Sequence, residues 1–277
     1  MKKLEKPKMS VREILTDISN ITRDKNKKSQ ICDSIDLIKE YSDKYDDLAT
    51  NHNLHTFIPY DKVEASLTST DLQKLYTNSF SKGSLKEKYY SKILALSKDG
   101  KCPICGIGQV SNLDHYLAKT IYPIFSVTPI NLIPICRDCN FKKRDKPIIN
   151  YVDSPLHPYY DDIDNFIWLS ANILKKEEGN IVVEYFVDKS IMEIDNSLYC
   201  KLNSHCNLYR LFELYAIQAT TEVAENLDAW KRIAFKEGIE KLKDILKDML
   251  ISRENFQKNT WITALFRSII DHINIIL

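Results

Sequence analysis

Apolar positions recur at helical spacing through the last third of the chain. Ile239, Leu242, Ile245, Leu246 and Met249 fall on one helix face, and the periodicity begins at about Asn207. No proline follows Pro158, which leaves the final 119 residues free to be largely helical. Nearer the start, Ser-x-x-Glu and Thr-x-x-Gln patterns predict helix N-termini at Ser10 (with Glu13), Thr70 (with Gln73) and Ser84 (with Glu87). The helix from Ser84 should run through Tyr89, Ile93 and Leu96, stop near Gly100 and deliver the chain to Cys102. Residues 24–60 are polar around one expected helix, Cys32 to Tyr45. The run from Ile181 to Val187 reads as a strand with Ile191–Ile194 as its hairpin partner. Prolines cluster in the middle, from Pro103 to Pro158, and no repeat or low-complexity tract interrupts the pattern. The fold class expected is α+β, mainly α. A helical N-terminal region (1–83) precedes a cysteine-rich core (84–160), and a mainly helical C-terminal region with a short hairpin (161–277) follows.

Composition narrows the function classes. Of 277 residues 44% are hydrophobic, enough for a sizeable core. Lys and Arg number 39 against 38 Asp and Glu, so a nucleic-acid surface would have to be a local patch. Six glycines are too few for a glycine-loop nucleotide site or a fold rich in tight turns. The opening MKKLEKPKMSVREIL lacks the apolar stretch of a secretory signal, and no apolar run reaches the ~18 residues of a membrane span. The expectation is a cytoplasmic protein with no membrane association and no small-molecule cofactor.

Seven cysteines sharpen the picture. Cys32, Cys200 and Cys206 are scattered, whereas Cys102/Cys105 and Cys136/Cys139 form two C-x-x-C pairs separated by 30 residues. Each pair presents two sulfurs from one tight knuckle, and two knuckles complete a tetrahedral four-sulfur shell for zinc. A closed shell leaves no position for substrate, so this zinc would be structural. Between the knuckles, Asp114-His115 closes one apolar segment and Asn131 opens another, Leu132 to Ile135; Asn140 follows the last cysteine. Asp and Asn offer the oxygen ligands a hard divalent ion takes, and a histidine can deprotonate a water. Residues 137–146 hold five basic side chains against two acids, a local charge of +3 suited to a phosphate backbone.

This block, from about Lys101 to Lys146, resembles the zinc-stabilised branch of the HNH endonucleases, whose ββα-metal unit holds one catalytic divalent ion. The resemblance puts the first motif histidine at His115, the acidic metal ligand at Asp114 and the middle asparagine, which braces the loop between the strands, at Asn131. The last motif position is Asn140, where the literal motif has histidine; the HNH domains of RNA-guided nucleases also use asparagine there. It implies one-metal hydrolysis of DNA phosphodiesters. Asp114 and Asn140 would hold Mg2+ or Mn2+, His115 would act as general base, and Lys143, or else Lys119 or Arg144, would neutralise the transition-state phosphate. Lys119, Lys142, Lys143, Arg144 and Lys146 are the expected nucleic-acid contacts.

The long helical flanks around a small core also resemble the HNH subunit of Septu-type and retron-associated anti-phage systems, which partners an ABC-type ATPase. A restriction-type or mobile-element nuclease is the other setting considered. The competing function is a non-catalytic zinc-knuckle module that binds nucleic acid or protein, which the same cysteines would serve. Outside the core, Leu156-His157-Pro158-Tyr159-Tyr160-Asp161-Asp162 reads as a proline-bounded loop with aromatic anchors. His52, His55 and His205 read as surface or packing residues rather than ligands. Trp168, Trp230 and Trp261 read as core.

Overall fold

The first helix, α1 (Val11–Ile21), starts where the sequence predicts. The Ser10 hydroxyl accepts the Glu13 N–H at 3.2 Å, and the Glu13 carboxylate accepts the Ser10 N–H at 2.8 Å. The computed structural model describes residues 1–57, 66–175 and 181–277. Helix α2 (Lys25–Thr50) is capped by Asp24 and extends well beyond the expected Cys32–Tyr45. Its buried stripe is narrow, with Ile31, Ile38 and Tyr45 about two turns apart and Ala49 one turn further on, among polar residues, so periodicity undercounts its length. The cap expected at Thr70 lies instead at Thr68, which pairs reciprocally with Asp71 to start α3 (Ser69–Lys74). A carboxylate at this third helical position is a stronger acceptor than the Gln73 amide. Ser84 is not a cap either: α4 (Gly83–Leu85) starts after Lys82 without a side-chain cap, and α5 (Ser91–Leu94) ends short of Gly100. Wide π-helical turns at Leu75–Phe80 and Lys86–Tyr90 extend α3 and join α4 to α5.

These helices and the cysteine-rich centre share one core, in which Ile14, Ile38, Tyr45, Phe80 and Ile93 pack with Leu117, Phe125, Leu132 and Tyr159. Residues 3–161 accordingly form one compact unit, and the boundary drawn at residue 83 falls inside it. At its centre, β1 (Asn112–His115) pairs antiparallel with β2 (Leu132–Ile135), and α6 (Arg137–Lys143) follows β2 directly. The intervening loop is almost entirely buried from Tyr122 to Pro129. The local topology is two strands and a helix.

Residues 162–277, with Met1 and Lys2, form the second unit. Its strand β4 (Ile181–Val187) is the one the sequence predicts, but its partner is β3 (Leu169–Lys175), not Ile191–Ile194. The Asp188 carboxylate accepts both the N–H and the hydroxyl of Ser190, and that turn launches α7 (Ser190–Ile194) instead of a return strand. Helices α8 (Asn196–Tyr209), α9 (Leu211–Glu237), α10 (Ile239–Phe256), α11 (Trp261–Asp271) and α12 (Ile273–Ile276) follow, so this region is mainly helical as expected. Of the stripe read on α10, Leu242 and Leu246 are buried, while Ile239 and Met249 are exposed. Trp168 and Trp230 are core residues, and Trp261 is half-buried. Together the two units are α+β, mainly α. Among the described residues no helix is long and apolar enough to cross a membrane.

The buried Asn259 amide ties this second unit together. Its Oδ1 accepts the N–H groups of Trp168 and Leu169, and its Nδ2 donates to Phe166 O and Asp164 Oδ1. Asn259→Ala leaves those groups unsatisfied and should lower unfolding free energy by on the order of 3 kcal/mol. A denaturant midpoint equal to that of wild type would contradict this.

Candidate metal centre and the strand beside it

The four knuckle cysteines are buried, and their Sγ atoms all lie within 4.8 Å of one another. Cys105 Sγ and Cys136 Sγ are 3.9 Å apart. That is close to the roughly 3.8 Å edge of a tetrahedron with ~2.3 Å zinc–sulfur bonds. It is far beyond a disulfide bond of about 2 Å.

Local sequence builds each knuckle. In the first, Gly106 takes φ +71°, which turns the chain so that its N–H reaches Cys102 O at 2.8 Å. Gly108 cannot carry a side chain, because an added Cβ would sit 2.8 Å from Cys136 Sγ. Its N–H donates to Cys105 Sγ at 3.3 Å. In the second, Cys136 caps α6 and its sulfur accepts the Cys139 N–H at 3.5 Å. Hydrogen bonds from the Cys102 and Cys136 thiols hold the Cys105 thiol well below its ordinary value, whereas sharing pushes Cys102 up. Thiolates this close repel one another unless a cation offsets the crowded charge. Four convergent thiols with amide support fit a structural zinc ion. Cys32, Cys200 and Cys206 are free thiols outside this cluster; burial pushes Cys206 up to about 12.

The cluster fixes the start of α6 against the neighbouring hairpin, and the other candidate residues lie along that junction. Asp114 and His115 end β1. Asn131 is fully buried and spans the loop: its Oδ1 accepts the Leu117 N–H at 2.7 Å, and its Nδ2 donates to Leu117 O at 3.0 Å and to Phe125 O at 3.3 Å. These contacts brace the segment between the strands. His115 Nε2 lies 2.9 Å from Ser126 O. A carbonyl only accepts, so Nε2 carries the hydrogen and Nδ1 keeps the lone pair. Burial lowers the His115 pKa to about 3, with Lys119 and Lys143 contributing, so the imidazole is neutral at physiological pH.

From α6, Lys143 reaches back to β1. Its Nζ lies 2.9 Å from Asp114 Oδ2 and donates to His115 O at 2.6 Å. Lys143 therefore neutralises the strand's own carboxylate here. Asn140 is half-buried one turn earlier on the same helix, its N–H bonded to Cys136 O. Of the remaining basic residues, Arg144 and Lys146 are exposed, Lys142 is half-buried, and Lys119 Nζ sits 4.8 Å from the centre of the Tyr76 ring.

The segment from Leu156 is structural. His157 is buried, its Nδ1 accepts the Tyr159 N–H, and its Nε2 lies 3.0 Å from the Tyr45 hydroxyl. Tyr159 donates to Leu132 O at 2.7 Å, tying this loop to β2. His52 pairs with the buried Asp161, and His55 packs near Tyr151. His205 is buried against Tyr209. Sequence reasoning missed Tyr76 and Tyr90, whose hydroxyls both meet Leu113; no local spacing links them to the strand.

The chain is similar to a phage protein. Protein ea31 of Escherichia phage lambda is 29% identical over 236 residues, covering 81% of this chain and 78% of that one. No known family and no solved structure matches the chain. The relative's name states no activity, so the chemistry rests on the side chains themselves.

The sulfur cluster makes a direct prediction. The purified chain should carry about one zinc ion, and Cys136→Ser should lose it together with the cooperative unfolding of residues 3–161, as structural zinc sites hold on the order of 10 kcal/mol of folding free energy. Metal analysis and thermal unfolding test this; a zinc-free wild type that unfolds like the chelated protein would refute it.

Proposed function

We propose that the chain is a metal-dependent HNH endonuclease that hydrolyses phosphodiester bonds in DNA. The observation that carries this reading is the junction of β1 with α6. A carboxylate, a neutral imidazole held in one tautomer and a helix bearing an amide and an ammonium come from two elements pinned by one sulfur cluster. Asp114 and Asn140 would hold a hard divalent cation, whose donor preference is oxygen. When bound, that cation would supply Lewis-acid stabilisation to the charge that develops on the phosphate.

His115 takes a proton at Nδ1 from the attacking water while its Nε2–H stays on Ser126 O. The water oxygen bonds to phosphorus as the bond to the 3′ oxygen breaks; the departing 3′ oxygen takes a proton from solvent water and His115 returns its proton to solvent, leaving a 5′ phosphate and a 3′ hydroxyl. Lys143 pairs with Asp114 in this structure; were Asp114 to hold a cation instead, the ammonium would be available to the phosphate. Arg144 and Lys146 offer exposed positive charge to the backbone beyond.

One observation favours the competing reading of a non-catalytic zinc module: Asp114 already has a cation in Lys143. The two readings part on cleavage and metal binding. Plasmid nicking in Mg2+ or Mn2+ should occur with wild type and fall at least ~100-fold in His115→Ala and Asp114→Ala, with zinc content unchanged. Product that forms equally fast with His115→Ala rejects the mechanism, and absence of divalent-dependent product leaves the binding module as the reading.

Lys143→Met should bind Mn2+ roughly tenfold more tightly than wild type, because no resident ammonium has to be displaced, yet should cleave more slowly. Weaker Mn2+ binding in that variant would show that Lys143 helps hold the cation instead.

The biological setting we propose is anti-phage defence, with the chain as nuclease subunit beside an ABC-type ATPase. It is supported by the resemblance of the flanks to such subunits. A lone monomer on co-expression with every genomic neighbour would contradict it and favour a free-standing mobile-element nuclease.

A further inference from the structure

Among the described residues, strand β1 pairs with β2 alone, along one edge. Asn112 and Asp114 face Ile135 and Ile133 across the ladder, and the register continues to Tyr116, whose N–H bonds Asn131 O. In an antiparallel pair alternate residues turn their N–H and C=O outward, so Leu113 and His115 present theirs to the open edge. The residue opposite Leu113 is Pro134, which has no N–H to donate.

Side chains meet that open edge. The Leu113 N–H donates to the Tyr90 hydroxyl at 3.2 Å, and the Tyr76 hydroxyl donates to Leu113 O at 3.3 Å. The next outward carbonyl, His115 O, accepts from Lys143. Both tyrosines belong to the helical segment before the cysteines and lie in its two π-helical turns. Such turns cost hydrogen-bond geometry and recur at functional sites. The Tyr76 ring also meets the His115 imidazole edge-on, with centroids 4.4 Å apart and planes at 69°. Phe80 stacks behind it at 5.6 Å, and burial keeps the Tyr76 hydroxyl protonated, hence a donor.

We propose that Tyr76 and Tyr90 are positioning residues of the nuclease site, their hydroxyls replacing the missing third strand at Leu113 and the Tyr76 ring seating the His115 imidazole. The inference rests on the reading of His115 as general base and extends it. The N-terminal helices thereby become part of the catalytic apparatus. A misplacement of the base by a fraction of an ångström is enough to slow a proton transfer many-fold.

The test uses the zinc-loaded full chain and the variants Tyr90→Phe, Tyr76→Phe and Tyr76→Leu. Amide exchange at Leu113 and the ring 15N shifts of His115 read the clamp without any cleavage, alongside kcat, KM for DNA and Mn2+ affinity. Tyr90→Phe should speed Leu113 exchange roughly tenfold, the equivalent of one lost hydrogen bond. Tyr76→Leu should move the His115 ring shifts and lower kcat on the order of tenfold with KM, Mn2+ affinity and zinc content unchanged. Tyr76→Phe, which keeps the ring, should preserve the His115 shifts and most of kcat. Unchanged exchange and ring shifts in all three variants would overturn the proposal, as would a lowered melting temperature with wild-type kcat. A wild type that never cleaves would overturn the nuclease reading alone, because exchange and ring shifts still decide whether the clamp exists.

Discussion

Four thiols drawn within 4.8 Å of one another govern the arrangement of everything near them. A cluster of that kind is costly without a cation, since each thiolate formed opposes the next, and strongly favourable with one. Its geometric consequence follows from where the sulfurs sit. One pair belongs to a loop closed by glycines and the other to the first turn of α6, so fixing the cluster fixes the helix axis against the hairpin. Because α6 follows β2 without a linker, the second strand is fixed as well. A ββα unit too small to bury much apolar surface acquires rigidity this way.

Rigidity at the cluster is only half of what holds Asp114 and His115. The strand that bears them is four residues long and, among the described residues, pairs along one edge, and a two-stranded hairpin of that size is marginal alone. Two supports reach it, the Lys143 ammonium from α6 and the tyrosine hydroxyls from the preceding helices, while the Asn131 amide braces the loop that follows. The result is a neutral imidazole, an acidic group already matched to a positive charge, and a half-buried amide along one seam. In the function we propose, the internal ammonium on that seam would give way to a divalent ion.

Which parts could be read in advance follows from how local their causes are. The cysteine pairs, β2 at Leu132–Ile135 and the Ser10 cap announce themselves through spacing of a few residues, and they lie where the spacing puts them. The partner of β4 did not, because Asp188-Lys189-Ser190 looks like a hairpin turn until the Asp188 carboxylate captures the Ser190 backbone. Lys143 is expected from the sequence to face a phosphate, and its pairing with Asp114 is not part of that expectation. Its distance from Cys139, four residues on a helix, was the available signal that it points inward with the sulfur. Tyr76 and Tyr90 carried no signal, since they lie 37 and 23 residues from Leu113 and their role exists only in three dimensions.

Anomalous scattering from crystals grown with Mn2+, recorded at the zinc and manganese edges, tests the central claim most directly. The account predicts a zinc peak at about 2.3 Å from the four sulfurs and a separate manganese peak coordinated by Asp114 and Asn140, with the Lys143 ammonium displaced. A sulfur site without zinc, or a lone zinc peak with Lys143 still on Asp114 at saturating Mn2+, would contradict it.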